Sequence, residues 1–278
     1  MEQLYTTYHF AVERHLNDLL KGSEGALADA MRYTLLGKGK RLRPQLVLAS
    51  VETLGGQFSD ALSFACAVEM VHAYSLIHDD LPCMDNDDFR RGQPTLHRVF
   101  PEGIAVLAGD ALLTEAFRVI SQSNHLSDRQ IVRLIALLAS RIGKDGMVGG
   151  QAIDILSKGK TVSRELLIEM DQKKTGDLFS CSLEFGAIIM NASSSIEEHL
   201  HQAGLHLGLA YQIHDDLEDA GVAASTNSIE PKLTLTTLIG IETTQKLLLQ
   251  TFEKVQHHLS FLPSGAPKIK GLIEPIFK

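Results

Sequence analysis

The pentapeptide Ile-His-Asp-Asp-Leu occurs twice in this chain, at residues 77–81 and again at residues 213–217. Each copy closes a stretch in which apolar residues recur at helical spacing, and each is followed by a further aspartate, Asp85 or Asp219. The repeat therefore predicts two long helices that carry acidic clusters at their ends. Two such clusters can face each other across a cavity and hold several divalent cations between them.

The first acidic cluster extends beyond the helix that carries it. Residues 79–91 read Asp-Asp-Leu-Pro-Cys-Met-Asp-Asn-Asp-Asp-Phe-Arg-Arg. Pro82 is predicted to end the helix and to turn the chain so that Asp85 returns toward the helix end. Carboxylate oxygens together with phosphate oxygens suit Mg2+, and the guanidinium groups of Arg90 and Arg91 suit phosphate. For this cluster alone, the alternative is an acidic helix end that contacts only solvent. A calcium-binding EF-hand loop is a poor fit, because its glycine turn is missing.

The second acidic cluster lies on a single face of its predicted helix. Gln212, Asp215, Asp216 and Asp219 stand at positions i, i+3, i+4 and i+7. A stripe of like charges repels itself, so a bound cation is the natural explanation. Taken with the matching first cluster, this pattern indicates metal ions that hold a diphosphate ester.

A basic counterpart stands early in the chain. Residues 37–44 read Gly-Lys-Gly-Lys-Arg-Leu-Arg-Pro and precede a predicted helix, whose N-terminus adds amide donors for an anion. A solvated basic turn is the alternative interpretation. Further on, residues 173–176 read Lys-Lys-Thr-Gly and interrupt another helical pattern. The sequence thus offers one metal-dependent and one metal-free anion site, which suits two diphosphate substrates.

The composition narrows the class of protein. The chain has 278 residues, with 26 basic and 34 acidic side chains and a formal charge of −8, which argues against a nucleic-acid partner. Its three cysteines are widely spaced and odd in number, which argues against a disulfide framework. The N-terminus lacks the layout of a signal peptide, and the apolar runs are too short for a membrane span. We therefore expect a cytoplasmic protein without a membrane span.

Helical periodicity covers most of the chain, and no Pro/Ser-rich linker divides it. Residues 1–278 are therefore predicted to form a single all-α domain. The predicted helices are 3–20, 24–36, 42–54, 59–80, 103–122, 128–143, 163–190, 195–219, 232–238, 242–259 and 267–276. The small, polar stretch 220–230 is predicted to be the least ordered, either as a mobile flap or as a plain surface loop.

Seven segments, in order along most of the chain, resemble those of the trans-prenyltransferases, the short-chain isoprenyl diphosphate synthases. The first aspartate-rich segment has the bacterial form, with two extra residues. The matching segments are the basic loop 39–44, the first aspartate-rich segment 79–85, residues 90–97, residues 107–110, residues 149–151 with Asp154, residues 174–176 and the second aspartate-rich segment 212–219.

This resemblance implies an all-α isoprenoid synthase bundle around a deep central cavity, assembled as a homodimer. It implies isopentenyl diphosphate and an allylic diphosphate (dimethylallyl or geranyl) as substrates, and three Mg2+ ions on the allylic diphosphate. The implied ligands of isopentenyl diphosphate are Lys40, Arg43, His72 and Arg91. The implied ligands of the allylic diphosphate are Arg90, Lys174, Thr175, Gln212 and Lys232. The implied metal ligands are Asp79, Asp85, Asp215 and Asp219. The implied catalytic set is Asp79, Asp80, Asp85, Lys174, Asp215 and Asp216.

The chemistry implied is ionisation of the allylic diphosphate, condensation with the isopentenyl double bond and loss of a proton. Tyr74 stands five residues before Asp79, about 7.5 Å along the helix axis, and its ring can form the floor of a hydrocarbon cavity, with Ser75 beside it. An aromatic residue at this place resembles the family's farnesyl-length pattern, and this resemblance implies a C15 product, farnesyl diphosphate, from a C5 or C10 primer. A C20 product, geranylgeranyl diphosphate, and an ordinary buried role for Tyr74 are the alternatives.

The chain departs from the family pattern after Asp219. The following loop is short and lacks its first lysine; Lys232 and Thr234 match, but the Tyr-Pro that usually follows is replaced, and the C-terminus is trimmed. This loop is the one feature that favours a catalytically weak or non-catalytic family member. A terpene cyclase, which shares the fold and the metal clusters, is disfavoured because it does not need a second diphosphate site at Lys40 and Arg43.

Overall fold

The computed structural model describes residues 2–223 and 233–277, and helices dominate both ranges. The helices of the first half are α1 (Glu2–Leu19), α2 (Ala26–Leu35), α3 (Leu42–Thr53), α4 (Leu62–Asp79), α5 (Leu96–Val99), α6 (Glu102–Ser121) and α7 (Asp128–Ile142). Those of the second half are α8 (Met147–Ser157), α9 (Arg164–Asp171), α10 (Asp177–Ile189), α11 (Ser194–Ala223), α12 (Leu235–Ile239), α13 (Ile241–Ser260) and α14 (Pro267–Ile273). Short 3-10 turns span Phe58–Ala61, Pro263–Gly265 and Glu274–Ile276. The predicted all-α class is confirmed.

Helices α4 and α10 form the centre of the bundle. Every residue of α10 is buried, and α4 is buried almost all round because its residues are apolar on every face. Helix α4 packs on α3 and α6, while α10 packs on α3, α7 and α11. The stretch Phe58–Asp79 is long and apolar enough to cross a membrane by length and composition alone, but 67% of it lies buried inside the protein, as in a core helix.

Four local features differ from the sequence-based prediction, the first being the short helix α5, which was not predicted. Helix α8 was not predicted, because Gly149 and Gly150 resemble a break between helices. The single helix expected over residues 163–190 contains a π-helical turn, Gln172–Gly176, between α9 and α10. A two-stranded antiparallel hairpin joins β1 (Phe89–Arg90) to β2 (Gln93–Pro94).

The stretch predicted as a flap or loop, residues 220–230, begins as helix, because α11 continues to Ala223. Residues 224–230 lie outside the described residues, and so does Lys232. Beyond them, α12 starts with a capping box in which Thr234 accepts from the backbone of Thr237.

Candidate active site

The two copies of the repeated pentapeptide contribute to one cavity of about 1090 Å³, which we call the acidic cavity. Asp79 is the last residue of α4, and the turn through Pro82 brings Asp85 back, so that its N–H donates to the Asp79 carbonyl at 3.0 Å. Asp215 and Asp219 on α11 line the same cavity. The ends of two helices thus bring both clusters of carboxylates to a common space.

Two lysines already lie against these carboxylates. Lys174 Nζ is 2.6 Å from Asp154 Oδ2 and 3.7 Å from Asp79 Oδ1, and Lys158 Nζ is 2.6 Å from Asp85 Oδ1. Gln151 Nε2 donates a further hydrogen bond to Asp79. The carboxylates therefore hold cationic or donor groups in the place where metal ions are expected.

Burial and neighbouring charges shift the pKa values of the groups in the acidic cavity. Burial, above all, raises the pKa of Asp79, with Asp85 adding to the shift. Burial, followed by the charges of Glu218 and Asp219, raises the pKa of Asp215 to about 6. For Lys174, burial acts to lower the pKa, but Asp79 and its neighbours outweigh it and raise the pKa overall. An added cation relieves this crowding of like charge.

The second aspartate of each pair makes fixed contacts with the protein. Asp80 is 4% exposed and accepts from Arg90 Nε at 2.7 Å. Asp216, also 4% exposed, accepts from the backbone N–H of Leu235 at 2.9 Å and so holds the start of α12. These contacts give Asp80 and Asp216 a positioning role, although Asp216 also lines the acidic cavity.

The π-helical turn presents Lys174 to the acidic cavity and, with Thr175, to the adjoining apolar cavity. Thr175 Oγ1 donates to Gln212 Oε1 at 3.4 Å, which links the turn to α11. Helix α8 approaches the turn closely at Gly150, where an added Cβ would lie 2.3 Å from the Lys174 backbone nitrogen. A glycine is required there, because any larger residue would push the turn and its lysine away.

A second cavity, of about 310 Å³, is lined by positive groups and is called the basic cavity here. The four residues predicted to hold isopentenyl diphosphate all line it: Lys40, Arg43, His72 and Arg91. The Arg43 guanidinium lies 4.3 Å from the centre of the Phe179 ring, and its Nε is buried with no hydrogen-bond partner among the described residues. Burial, together with the charges of Arg43 and Arg91, lowers the pKa of His72 well below its usual range, so this ring is neutral.

Arg41, in the same basic loop, has a different role. It is 4% exposed and lies 2.6 Å from Glu13 Oε1 and 2.7 Å from Glu69 Oε1. Its backbone is left-handed, with φ at 51°, immediately before α3 begins. Arg41 therefore fixes the loop, while Lys40 and Arg43 on either side of it face the cavity.

A third cavity, of about 620 Å³, is mostly apolar and joins the other two. It shares Arg43 and His72 with the basic cavity, and Asp79 and Lys174 with the acidic cavity. Tyr74 and Ser75 line it, as predicted from their place on α4, and the other apolar walls come mainly from residues after the first cluster. These walls are Met84, Met147, Val148, Ile155, Leu156 and Leu178.

Comparison with known proteins places this arrangement in a family. The polyprenyl synthetase family model matches residues 24–255. This chain belongs to the polyprenyl synthetase family. It is 41% identical over 273 residues to the farnesyl diphosphate synthase of Geobacillus stearothermophilus, across 93% of this chain and 91% of that protein. It is 40% identical over 270 residues to geranylgeranyl pyrophosphate synthase 7, chloroplastic, of Arabidopsis thaliana, across 90% of this chain and 78% of that protein.

The fold agrees with that membership. An FPP/GFPP synthase structure from Zymomonas mobilis superposes with a TM-score of 0.90 at 38% identity, across 99% of each chain. The polyprenyl synthetase described here is thus a trans-prenyltransferase of isoprenoid biosynthesis whose substrates are isoprenyl diphosphates.

Some residues of this polyprenyl synthetase site escaped the sequence analysis. Lys158 was missed because it follows α8, a helix that was not predicted, and the apolar wall from α8 was missed for the same reason. His214 and Glu218 were also missed; each offers a ligand atom that lies within 4.8 Å of the others and of Asp215. His214 and Glu218 are four residues apart on a predicted helix, and this spacing indicates that their side chains lie on one face.

Proposed function

We propose that this protein joins isopentenyl diphosphate to an allylic diphosphate in a Mg2+-dependent reaction and releases farnesyl diphosphate. The observation that carries the proposal is the order of the three cavities. A basic cavity and an acidic cavity open onto one apolar cavity, with Arg43 and His72 at one junction and Asp79 and Lys174 at the other. Two diphosphates can bind at the two charged cavities while their hydrocarbon parts meet between them.

The residues of the acidic cavity fit magnesium. Asp79, Asp85 and Asp215 offer hard carboxylate oxygens around one space large enough for retained water and a diphosphate. The lysines that lie against Asp79 and Asp85 show that these carboxylates take cationic partners. Magnesium held there supplies positive charge that offsets the negative charge on the departing diphosphate.

The protein's own cations add to that stabilisation. Lys174 and Arg90 line the acidic cavity and can contact the oxygens of the allylic diphosphate. Opposite charges about 4 Å apart attract by roughly 4 kcal/mol at an effective dielectric constant of 20. Such contacts strengthen as the allylic C–O bond breaks and negative charge collects on the leaving group, so they lower the barrier.

The basic cavity binds the second substrate, isopentenyl diphosphate, so that its double bond faces the allylic substrate. Lys40, Arg43 and Arg91 offer donors for the isopentenyl diphosphate, and the neutral His72 ring lies at the junction with the apolar cavity. The apolar walls exclude water that would otherwise capture the allylic cation. The isopentenyl double bond attacks that cation, and the proton lost afterwards passes to the departing diphosphate.

Tyr74 supports a product of farnesyl length. Its ring is 5% exposed and lies in the wall of the apolar cavity, and burial raises its pKa to about 12, so the phenol stays neutral. A C20 product is the second candidate, because relatives of similar identity are named for farnesyl and for geranylgeranyl synthesis. The length of the released product separates the two.

The test is direct. Purified protein is incubated with Mg2+, isopentenyl diphosphate and geranyl diphosphate, and both diphosphate release and product length are measured. Stoichiometric release with a C15 product supports the proposal. A C20 product overturns the assigned length alone, whereas no release at saturating substrate overturns the activity and favours a non-catalytic member.

The cytoplasmic location and the homodimer expected from the sequence stay predictions. Exposed apolar side chains on the neighbouring helices α6 and α7, Leu107 and Val132, offer surface that a second copy of the chain can cover. Light scattering on the purified protein measures its mass, and a monomeric mass would contradict the dimer.

A further inference from the structure

Outside the three cavities, four histidines gather where α13 packs on α11. His199 and His206 belong to α11, and His257 and His258 belong to α13. The rings lie close: 5.5 Å separates the ring centres of His199 and His258, 5.7 Å those of His206 and His258, and 5.4 Å those of His257 and His258. His257 is exposed and the other three are half-buried, so the group is open to ions from solvent. We call this group the histidine cluster.

The tightest contact within the histidine cluster joins two like atoms. Nδ1 of His199 lies 3.2 Å from Nδ1 of His258. A tetrahedral zinc ion with Zn–N bonds of 2.0–2.1 Å holds two nitrogens about 3.4 Å apart. The observed separation is therefore within a few tenths of an ångström of what two imidazole ligands of one ion require.

A hydrogen bond and ring stacking fix two rings of the histidine cluster, His206 and His199. Nδ1 of His206 lies 2.7 Å from the carbonyl oxygen of Gln202, to which it donates its proton, and this leaves Nε2 with the lone pair. Metal-binding histidines have this pattern of a backbone partner on the other ring nitrogen. Packing also fixes His199, whose ring stacks on Phe261 with 4.2 Å between centres and 4° between planes.

Burial favours the neutral form of two rings of the histidine cluster, His258 and His206. Burial, followed by the neighbouring rings of His206, His199 and His257, lowers the pKa of His258, while the nearby Glu198 acts to raise it. Burial likewise lowers the pKa of His206; its bond to Gln202 opposes this shift, and the charge of Lys254 adds to it. The neutral imidazole is the form that binds metal.

We propose that His199 and His258, with His206 or His257 as a further ligand after a ring rotation, bind a divalent transition ion of the zinc, nickel or copper type. Imidazole nitrogens favour these ions over Mg2+, which prefers oxygen. The bound ion links α13 to α11. His206 precedes Asp215 by nine residues, about 13 Å along the helix, so the histidine cluster is separate from the acidic cavity.

The test uses tag-free protein saturated with Mg2+, so that the carboxylates of the acidic cavity are occupied. Zinc binding is measured by calorimetry and thermal unfolding, and Cu2+ is used for spin resonance, where nitrogen hyperfine splitting reports imidazole ligands. We expect one tight zinc ion per chain, a rise in unfolding temperature and at least two nitrogens on copper.

The variants His199→Gln and His258→Gln are each expected to weaken zinc binding at least tenfold. His125→Gln is the matched control, since that ring lies elsewhere and contacts the Asp60 carbonyl. Asp79→Asn should leave zinc binding intact, which keeps this test independent of the proposed activity. If the two cluster variants and the control bind zinc equally, or if wild-type protein binds less than one equivalent, the histidines only pack against each other and the proposal fails.

Discussion

The acidic and basic cavities adjoin the same apolar cavity, yet they carry opposite charge. In the acidic cavity, burial and neighbouring carboxylates raise the pKa of Asp215 to about 6. In the basic cavity, burial and the arginines lower the pKa of His72 well below its usual range. Each cavity thus disfavours further charge of its own sign before any ligand arrives. Each is suited to a partner of opposite charge, cations in one case and an anion in the other.

A two-residue turn assigns adjacent arginines to different cavities. Arg91 and Gly92 both have positive φ, at 53° and 75°, as a type I′ hairpin turn requires. Arg90, on the strand before the turn, reaches Asp80 at 2.7 Å, whereas Arg91 lies 3.3 Å from His72 Nε2. Two neighbours of the same type therefore line separate cavities, Arg90 the acidic one and Arg91 the basic one.

The largest effect is expected from removing a carboxylate of the acidic cavity. Asp79→Asn should lower kcat about 10³-fold, roughly 4 kcal/mol, because charge on the leaving diphosphate is then poorly offset. The KM for isopentenyl diphosphate should change less than threefold, since we propose the other cavity as the binding site of that substrate. Steady-state diphosphate release measures both values.

The control is Asp145→Asn, which alters an exposed carboxylate paired with Lys144 and should leave activity unchanged. A rise in the KM for isopentenyl diphosphate as large as the fall in kcat would show that the two cavities do not act separately.

A converse change in the basic cavity should act on binding. Arg43→Gln should raise the KM for isopentenyl diphosphate about 10- to 100-fold, since a hydrogen bond to a charged group contributes about 1.5–3 kcal/mol. Lys40→Gln should do the same to a smaller extent, because Lys40 is exposed. The KM for the allylic substrate is measured in parallel and should stay within a factor of three.

The matched control is Lys21→Gln, a surface lysine paired with Asp18. Equal increases in both KM values for Arg43→Gln would contradict a dedicated isopentenyl site.

The apolar cavity between the two sites should set the product length. Tyr74→Ala removes a ring from its wall, so more than half of the product should become longer than C15, as read by chromatography of the dephosphorylated alcohols. Tyr74→Phe keeps the ring and should keep the C15 product. An unchanged product distribution in Tyr74→Ala, with folding verified by circular dichroism, would contradict the proposal that Tyr74 limits the product length.

The sequence was sufficient to predict those parts of the site whose positions follow from helical spacing. Asp79 and Asp215 end strongly periodic stretches, and their partners Asp85 and Asp219 follow at short range, so their shared cavity was predictable. Arg41 was not separable from its neighbours, because its buried partner Glu69 lies 28 residues away. Only the fold reveals which cation of a basic loop is already paired.

Helix α8 and its contribution to the site were beyond sequence reasoning for a related reason. A glycine usually weakens a helix, so Gly150 was interpreted as a break. In the structure it lies against the backbone of Lys174, where no side chain fits. Tertiary packing outweighed helix propensity, and the Lys158 contact with Asp85 was missed as a consequence.

The burial of Asp215 beside other carboxylates predicts a pH effect on stability in protein treated with a chelator. The carboxyl of Asp215 has its pKa raised from an ordinary 3.8 to about 6, so the folded state binds its proton more tightly than the unfolded state does. Its contribution to stability is fully present below about pH 4 and is lost as the pH rises through about 6. With EDTA, Asp215→Asn should therefore be more stable than wild type by about 1 kcal/mol at pH 8, after allowance for solvent screening.

That gain should shrink toward zero as the pH falls to about 4, as measured by urea unfolding at a series of pH values. Asp145→Asn again serves as the control and should show no such pH dependence. A wild-type protein more stable than Asp215→Asn at pH 8 in EDTA would contradict the view that burial and neighbouring carboxylates disfavour the ionised form of Asp215.

The smallest effect is expected at the contact between Lys158 and Asp85. The pair is part-exposed, so it contributes less than about 1 kcal/mol, and Lys158 must give way when a metal ion takes the same carboxylate. Lys158→Met should then lower the Mg2+ concentration needed for half-maximal activity about threefold and tighten Mn2+ binding, followed by spin resonance, to the same degree. Lys144→Met, which alters an exposed lysine, should change neither. A higher Mg2+ requirement in Lys158→Met would contradict this competition and would instead assign Lys158 to the diphosphate, beside Lys174 and Arg90.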